Sequence, residues 1–354
     1  MALFLDGPLP LEDVLTFTQQ VPLPSNNRFT ADFPRRDYVG TDEIDFATIT
    51  KTNRAAKFRN WDGSYWVAPR DTGSEKRVRM LPLGGQLSVG EYERRQIEFA
   101  RVGGTIQSIL VDAIYNDLEN LTRYAQNRVE MAWGDVLTDG VLTINENGVQ
   151  QQVDYGIPST QLVTPNTLWS DHTNSTPLTD LITWTGVYSG INGMPHGQFR
   201  TSTAVVQDLM QNRQLINAIK GDQTGVTWVS IAEINAFLSG FGIPPFVVPT
   251  DGQPGGSIYS SSFDVDGATV AAFPTNKLLF LPADLGTLGF TAWGTPTTVM
   301  ELNAKNVQVE TATGIIGILV REEQPPFVKR TFVDGVVLPV IADPRKILVA
   351  TVRA

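Results

Sequence analysis

From Ile106 to Leu137 the apolar positions Ile106, Leu110, Ile114, Leu118, Leu121, Ala125, Val129, Ala132 and Val136 recur at steps of three and four, the period of one helix stripe. At 1.5 Å per residue, about thirty residues make a rod on the order of 45 Å long, more than one compact domain wraps. The pattern around it is different. From Glu43 to Lys51 the positions Ile44, Phe46, Thr48 and Thr50 alternate with others, and Glu75–Leu81 alternates again, with turn sequences at Asp62-Gly63-Ser64 and Asp71-Thr72-Gly73-Ser74. This predicts a two-stranded ribbon. A lone hairpin is marginal in water, so the ribbon should lean on a neighbouring surface; periodicity leaves an exposed arm and an ordinary hairpin equally open.

Ahead of the ribbon, Pro10 at the first helical position, Glu12 and Asp13 in the first turn and Leu11, Val14, Leu15 and Phe17 on one side predict a short helix. Residues 19–43 carry prolines and paired asparagines without a helical period, which reads as an extended arm docking through Phe29, Phe33 and Tyr38. After Leu81-Pro82-Leu83-Gly84-Gly85 come a charged run, Glu91–Gln96, and the separator Gly103-Gly104. Beyond the rod, Asp139-Gly140 and Asn147-Gly148 flank Val141–Ile144, and Gln150–Tyr155 completes a predicted hairpin. A helix follows from Pro177 through Leu178, Leu181, Ile182 and Tyr188 to Gly190. Another runs from Ser202 through Val205, Leu209, Met210, Leu215 and Ile219 to Gly221, and a third starts at the capping box Ser230-Ile231-Ala232-Glu233 ahead of Ile234 and Phe237. Strands are expected at Phe246–Val248, Lys277–Leu281, Val307–Thr311, Val336–Ile341 and Lys346–Val352. The chain is therefore α+β, with no βαβ rhythm and no internal repeat.

Composition narrows the possibilities. The 354 residues, 42% of them hydrophobic, suffice for a core and two or three domains, and the scattered glycines and prolines fit many turns between short strands. A formal charge of −10 argues against a surface that grips phosphate. The local groups Arg54, Lys57, Arg59 and Lys76, Arg77, Arg79 make no basic stripe and are expected to meet acidic neighbours. Without cysteine there is no disulfide or thiolate metal site, so stability must come from packing or assembly. The start, Met1–Pro8, lacks a basic region and a secretory core, and the apolar runs Lys277–Pro282 and Gly314–Val320 fall far short of the roughly eighteen residues of a membrane span. A soluble, unexported chain is expected, in which Asn120-Leu121-Thr122 and Asn174-Ser175-Thr176 are not glycan acceptors.

Catalytic constellations are thin. His172 and His196 both sit in loop-like surroundings with no metal-ligand spacing, and the adjacent residues Ser170-Asp171-His172 cannot converge on one reacting atom. Asp264-Val265-Asp266-Gly267 lacks the further ligands of a calcium loop and reads as a strand turn. Gly240-Phe241-Gly242 is followed by Ile243-Pro244-Pro245, so the third glycine of a dinucleotide fingerprint is missing. Glu322-Glu323 reads as a solvated strand end. No catalytic, cofactor-binding or metal residue is expected, and no enzyme. Carboxylates distant in the chain could still meet, which keeps a β-rich carbohydrate-active enzyme or binding module as the different-class alternative.

The order of elements resembles the major capsid proteins of tailed bacteriophages, with the Hong Kong 97-like fold, and within them the lambda-type, gene E product-like branch. The resemblance rests on Tyr92-Glu93-Arg94-Arg95-Gln96-Ile97 leading to the rod and on Ala132-Trp133-Gly134-Asp135-Val136-Leu137-Thr138-Asp139-Gly140 ending it. It rests also on Trp169-Ser170-Asp171 before Pro177-Leu178-Thr179-Asp180-Leu181, and on Leu338-Pro339-Val340-Ile341-Ala342-Asp343-Pro344. It covers nearly the whole chain. It implies an N-terminal arm at 1–42, an extended β-ribbon loop at 43–85, a peripheral domain at 86–175 and 321–354 on a spine helix at about 106–137, and an axial domain at 176–320. The implied function is a structural subunit that self-assembles as hexamers and pentamers into an icosahedral head enclosing double-stranded DNA, with arm and loop overlapping neighbouring subunits. An encapsulin-like compartment shell is the alternative within the same fold.

The implied partners are other copies of the chain, a portal and optionally a decoration protein. Relatives of the wider fold carry a scaffolding segment ahead of the arm, for which this chain has no room, so a separate scaffolding protein is implied. DNA is enclosed without sequence-specific binding, no membrane is involved, and the protein belongs to the virion after assembly in the host cytoplasm. Some relatives cross-link a loop lysine; Lys51, Lys57 and Lys76 lie in the corresponding region without a distinguishing feature, and no cross-link is expected.

Overall fold

The computed structural model describes residues 2–3, 11–50, 72–89, 106–221, 225–248, 256–304, 313–321 and 329–354. In chain order, the first part comprises β1 (Ala2–Leu3), α1 (Leu11–Gln20), α2 (Arg28–Asp32), β2 (Arg35–Asp37), β3 (Glu43–Thr50), β4 (Thr72–Arg79), β5 (Leu81–Val89) and α3 (Ile106–Asp139). The middle comprises β6 (Val141–Glu146), β7 (Val149–Asp154), β8 (Leu162–Val163), α4 (Pro177–Asn192), β9 (Gln198–Thr201), α5 (Thr203–Gln211), α6 (Arg213–Lys220) and α7 (Ile231–Ser239). The last part comprises β10 (Ser262–Val265), β11 (Ala268–Ala271), β12 (Lys277–Leu281), β13 (Gly289–Gly294), α8 (Thr297–Ala304), β14 (Ile316–Arg321), β15 (Lys329–Ile341) and β16 (Leu348–Thr351). Asp62-Gly63-Ser64, the charged run Glu91–Gln96, Gly103-Gly104, Val307–Thr311, Glu322-Glu323 and Lys51, Arg54, Lys57 and Arg59 lie outside the described residues.

The spine exists as read. Helix α3 begins at Ile106 and ends two residues beyond Leu137, and Leu118, Leu121, Ala125, Val129, Ala132 and Val136 of the expected stripe are buried. That stripe lies on the long strand β15, the centre of a six-stranded sheet. One side of β15 pairs with β14 and then β13; its other side, Lys329–Val337, pairs with β5 along Leu81–Val89. β1 extends the sheet beyond β14, and β2 lies parallel to β13. No helix among the described residues is long and apolar enough to cross a membrane.

A second sheet, β8-β16-β12-β9, divides two cores by the period of two of its strands. Leu279 and Leu281 of β12 and Val349 of β16 face the core built around Trp133, Phe290 and Leu338. Leu278, Phe280, Leu348 and Ala350 face the opposite way, into the core of α4–α7 around Trp184, Leu209 and Leu238. Strands buried on both faces read as continuous apolar runs, which is why Lys277–Leu281 carries no alternation. The range 176–320 thus supplies strands to both sheets.

Several local readings hold in detail. Asn147 (φ 47°) and Gly148 (φ 81°) both take left-handed backbone at the tip of β6–β7, the two-residue turn that an Asn-Gly pair favours. The Asp266-Gly267 pair does the same between β10 and β11. At α7, Ser230 Oγ accepts from Glu233 N while the Glu233 carboxylate accepts from Ser230 N, a complete capping box. Its carboxyl is held down to about 2, chiefly by the Lys220 ammonium donating to it and then by the Ser230 bonds.

Other readings need correction. The arm is not extended throughout: Arg28–Asp32 is helical, because the carboxylate of Glu130 on α3 accepts the N–H groups of Phe29 (2.8 Å) and Thr30 (2.7 Å) that a helix start leaves free. Phe29 and Phe33 are core residues of this same subunit; the Phe33 ring stacks on Trp133 at 3.8 Å. Thr72–Ser74, read as a turn, belongs to β4 and pairs with Thr48–Thr50. The segment Leu81–Gly85, read as the loop's end, opens strand β5. Its glycines hid the strand but let it approach: a side chain at Gly84 would come within 2.9 Å of the Val333 carbonyl.

Helix α4 passes Gly190 and stops at Gly193, which supplies the left-handed conformation (φ 72°) that a helix end takes. The helix read from Ser202 to Gly221 is two helices. Asn212 breaks it, its Oδ1 accepting from Leu215 N to start α6 while its Nδ2 donates to Ser175 Oγ at 2.8 Å. Asn212→Ala should cost about 1–2 kcal/mol, the value of a cap plus a buried hydrogen bond, measured by denaturant unfolding. Phe246–Val248 is not a strand: the side-chain amide of Asn235 takes both the N–H and the carbonyl of Phe246.

Candidate assembly surfaces

Among the described residues, the side chains singled out for chemistry lie in separate places. The His172 Nε2–H donates to Asp208 Oδ1 on α5 at 2.9 Å, while Asp171 instead accepts from the Asn174 amide and from the backbone of Asn174 and Thr173, which lowers its pKa. His196 is buried among aromatic rings. Asp264 Oδ1 accepts from Gly267 N across the β10–β11 turn, and Gly240–Gly242 closes the end of α7. Among the described residues no group of three or more His, Asp or Glu side chains is placed to hold a metal ion.

Among the described residues the structure instead presents exposed surface. The ribbon is anchored at its base. Ile44 and Val78, opposite one another, are buried in the first core; on the other face Asp45–Arg77 (2.7 Å) and Glu43–Arg79 (3.0 Å) form cross-strand ion pairs. Arg77 and Arg79 thus meet acidic neighbours, as read. Exposed pairs of this kind are worth about 0–1 kcal/mol, so the apolar anchor and not the charges fixes the base. Gln151 of β7 braces it, donating to the Arg79 carbonyl.

Beside the ribbon base lies a groove of about 370 Å³ between α3, β5, β15 and the β6–β7 hairpin. Leu83, Leu121, Ala125, Leu142, Ile144 and Pro339 line it, and Arg128 pairs with Glu146 at its mouth. On the helical body Met194 is 70% and Trp228 51% exposed, with Ile182, Ile191, Phe241 and Val248 also open to solvent. The β10–β11 hairpin is a two-stranded sheet with only Phe263 buried, leaving Val265 and Val270 exposed on the same face.

The arm is fixed to the body by buried charge. The Glu130 carboxylate accepts from Phe29 N, Thr30 N, Thr30 Oγ1 (2.7 Å) and Tyr259 Oη (2.6 Å), and Asp32 at the far end of α2 pairs with Arg200 of β9 at 2.6 Å. Burial raises the Glu130 pKa, against the lowering effect of its four donors. The reading of the residues missed Glu130, although a signal was present: it sits three positions before Trp133 on the buried side of a helix, where a carboxylate needs partners.

A family model described as phage major capsid protein E matches residues 17–352. No curated protein sequence matches the chain. Among solved structures, a prophage protein of Escherichia coli CFT073 assigned as a capsid protein superimposes with a TM-score of 0.64 at 14% identity, covering 97% of this chain and 99% of that one. A phage-related protein of Bordetella bronchiseptica RB50 superimposes with a TM-score of 0.55 at 12% identity, over 95% and 94%.

Proposed function

The chain belongs to the phage major capsid protein E family, and from that membership we propose how its surfaces serve a phage head. It is a shell subunit with the α+β, Hong Kong 97-like capsid fold, and a component of the virion. The match over residues 17–352 carries the reading, because it takes in the spine, both sheets and the helical body together.

Subunits join as hexamers and pentamers around a double-stranded DNA genome. The arm at 1–42, the extended loop at 43–85, a peripheral domain at 86–175 and 321–354, and an axial domain at 176–320 are the working parts, with the helical body of α4–α7 gathered at the symmetry axes. The exposed apolar side chains of that body support this placement, since association would cover them. The loop above the Ile44–Val78 anchor lies on the next subunit. A net charge of −10 suits a container that does not bind its DNA tightly.

The role is geometric and not catalytic. Assembly takes place in the host cytoplasm with a separate scaffolding protein and a portal, and a decoration protein is an optional addition. Uniform proheads formed by the purified chain alone would overturn the separate scaffold. No covalent cross-link forms, so denaturing electrophoresis of mature particles should give a single monomer band; a ladder would contradict it.

A further inference from the structure

His196 joins α4 to β9 and is 3% exposed, yet neither ring nitrogen has a hydrogen-bond partner. Phe199 at 4.5 Å, Phe280 at 4.7 Å and Tyr188 at 5.9 Å between ring centroids enclose it. An aromatic residue would fill this box without leaving polar atoms unpaired, so the imidazole costs stability where it stands.

The surrounding charges are engaged elsewhere. Tyr188 on α4 donates from its hydroxyl to the Lys346 carbonyl, and Asp343 beside that turn pairs with Arg345. Arg200 on β9 pairs with Asp32, and Lys277 on β12 donates to Thr351 Oγ1. A proton taken up by His196 therefore creates a buried cation with no carboxylate bonded to it. Burial lowers its pKa from 6.5 to about 4.

We infer that His196 is an acid-sensitive switch in the second core: its protonation opens the helical body of α4–α7 while the core around Trp133 stays closed. This takes the two cores, which share strands β12 and β16, as able to open one without the other. The sign follows from linkage. With a folded-state pKa below the unfolded one, stability is full above pH 6.5 and declines as pH falls toward about 4. One proton changes the opening equilibrium by about tenfold per pH unit in that window. Between pH 6.5 and 5 the other shifted carboxyls of this body do not mimic it. Glu233 and Asp171 are lowered and act at more acid pH, while Asp180, raised by burial, acts in the opposite direction.

Hydrogen exchange of the full chain at pH 6.5 and 5, corrected for intrinsic rates, tests this. In the parent, peptides within 178–219 and 230–243 should open about tenfold more per pH unit, while 118–137 and 336–341 do not. His196→Phe should abolish the difference, and His196→Leu should do so if phenylalanine overfills the box. Selective opening that persists in both variants overturns the role of His196 and leaves the reading of separately opening cores standing. Opening of both cores together in the parent overturns that reading, and no opening in the parent overturns the switch.

Discussion

Gly134→Ala is expected to destabilise the subunit strongly. A Cβ at this position in α3 would lie 1.6 Å from the Ala272 carbonyl oxygen and 2.8 Å from its carbon, both backbone atoms held by the end of β11 and the first core. In an open helix the same substitution gains about 1 kcal/mol, because alanine is the better helix former. Here the steric term decides the sign. Overpacking that side-chain motion cannot relieve costs about 3 kcal/mol or more, a large share of a typical domain's stability. Gly186→Ala and Gly190→Ala in α4 meet nothing within 4 Å and should stabilise by about 0.5–1 kcal/mol each. Denaturant unfolding of the three variants separates crowding from propensity.

Glu130→Ala is expected to cost about 3 kcal/mol or more, since it leaves Phe29 N, Thr30 N, Thr30 Oγ1 and Tyr259 Oη without their shared acceptor inside the core, at about 1–3 kcal/mol for each donor left unpaired. Glu130→Gln should cost less, about 1–3 kcal/mol. The two hydroxyls can turn to accept from the new amide, but one backbone N–H cannot. The pH dependence has a definite sign. Burial raises the Glu130 pKa above 4.5, so the folded state holds this proton more tightly than the unfolded chain. The contribution is complete below pH 4.5 and is lost as pH rises through the raised value. Melting curves of parent and Glu130→Gln should therefore lie further apart at pH 4.5 than at pH 7.

The sequence disclosed whatever is periodic or local. The spine was legible because its stripe persists through α3, and the β6–β7 hairpin because Asn147-Gly148 is nearly sufficient for its turn. The capping box of α7 was equally plain. What stayed hidden depends on partners distant in the chain. Nothing near residues 28–32 announces a helix, since its start is capped by Glu130, about a hundred residues later. Asn235 similarly replaces a strand partner for Phe246, and Asn212 breaks a continuous apolar period because Ser175 holds its side chain. Strand β5 was masked by Pro82, Gly84 and Gly85, residues that usually mark loops but here allow a close sheet edge. Of the surfaces proposed for assembly, the two strands of the ribbon were legible, whereas the exposure of Met194 and Trp228 needs the folded helical body to be seen.

Electron cryomicroscopy of particles assembled from the full chain with its packaging partners is the most direct test of a shell subunit. Closed icosahedral particles should appear, with the chain in both five-fold and six-fold rings, α4–α7 at the axes and the segment after Ile44 lying on a neighbouring copy. A protein that remains a monomer of 38.8 kDa or a small closed oligomer under the same conditions, with no rings or shells, would contradict it.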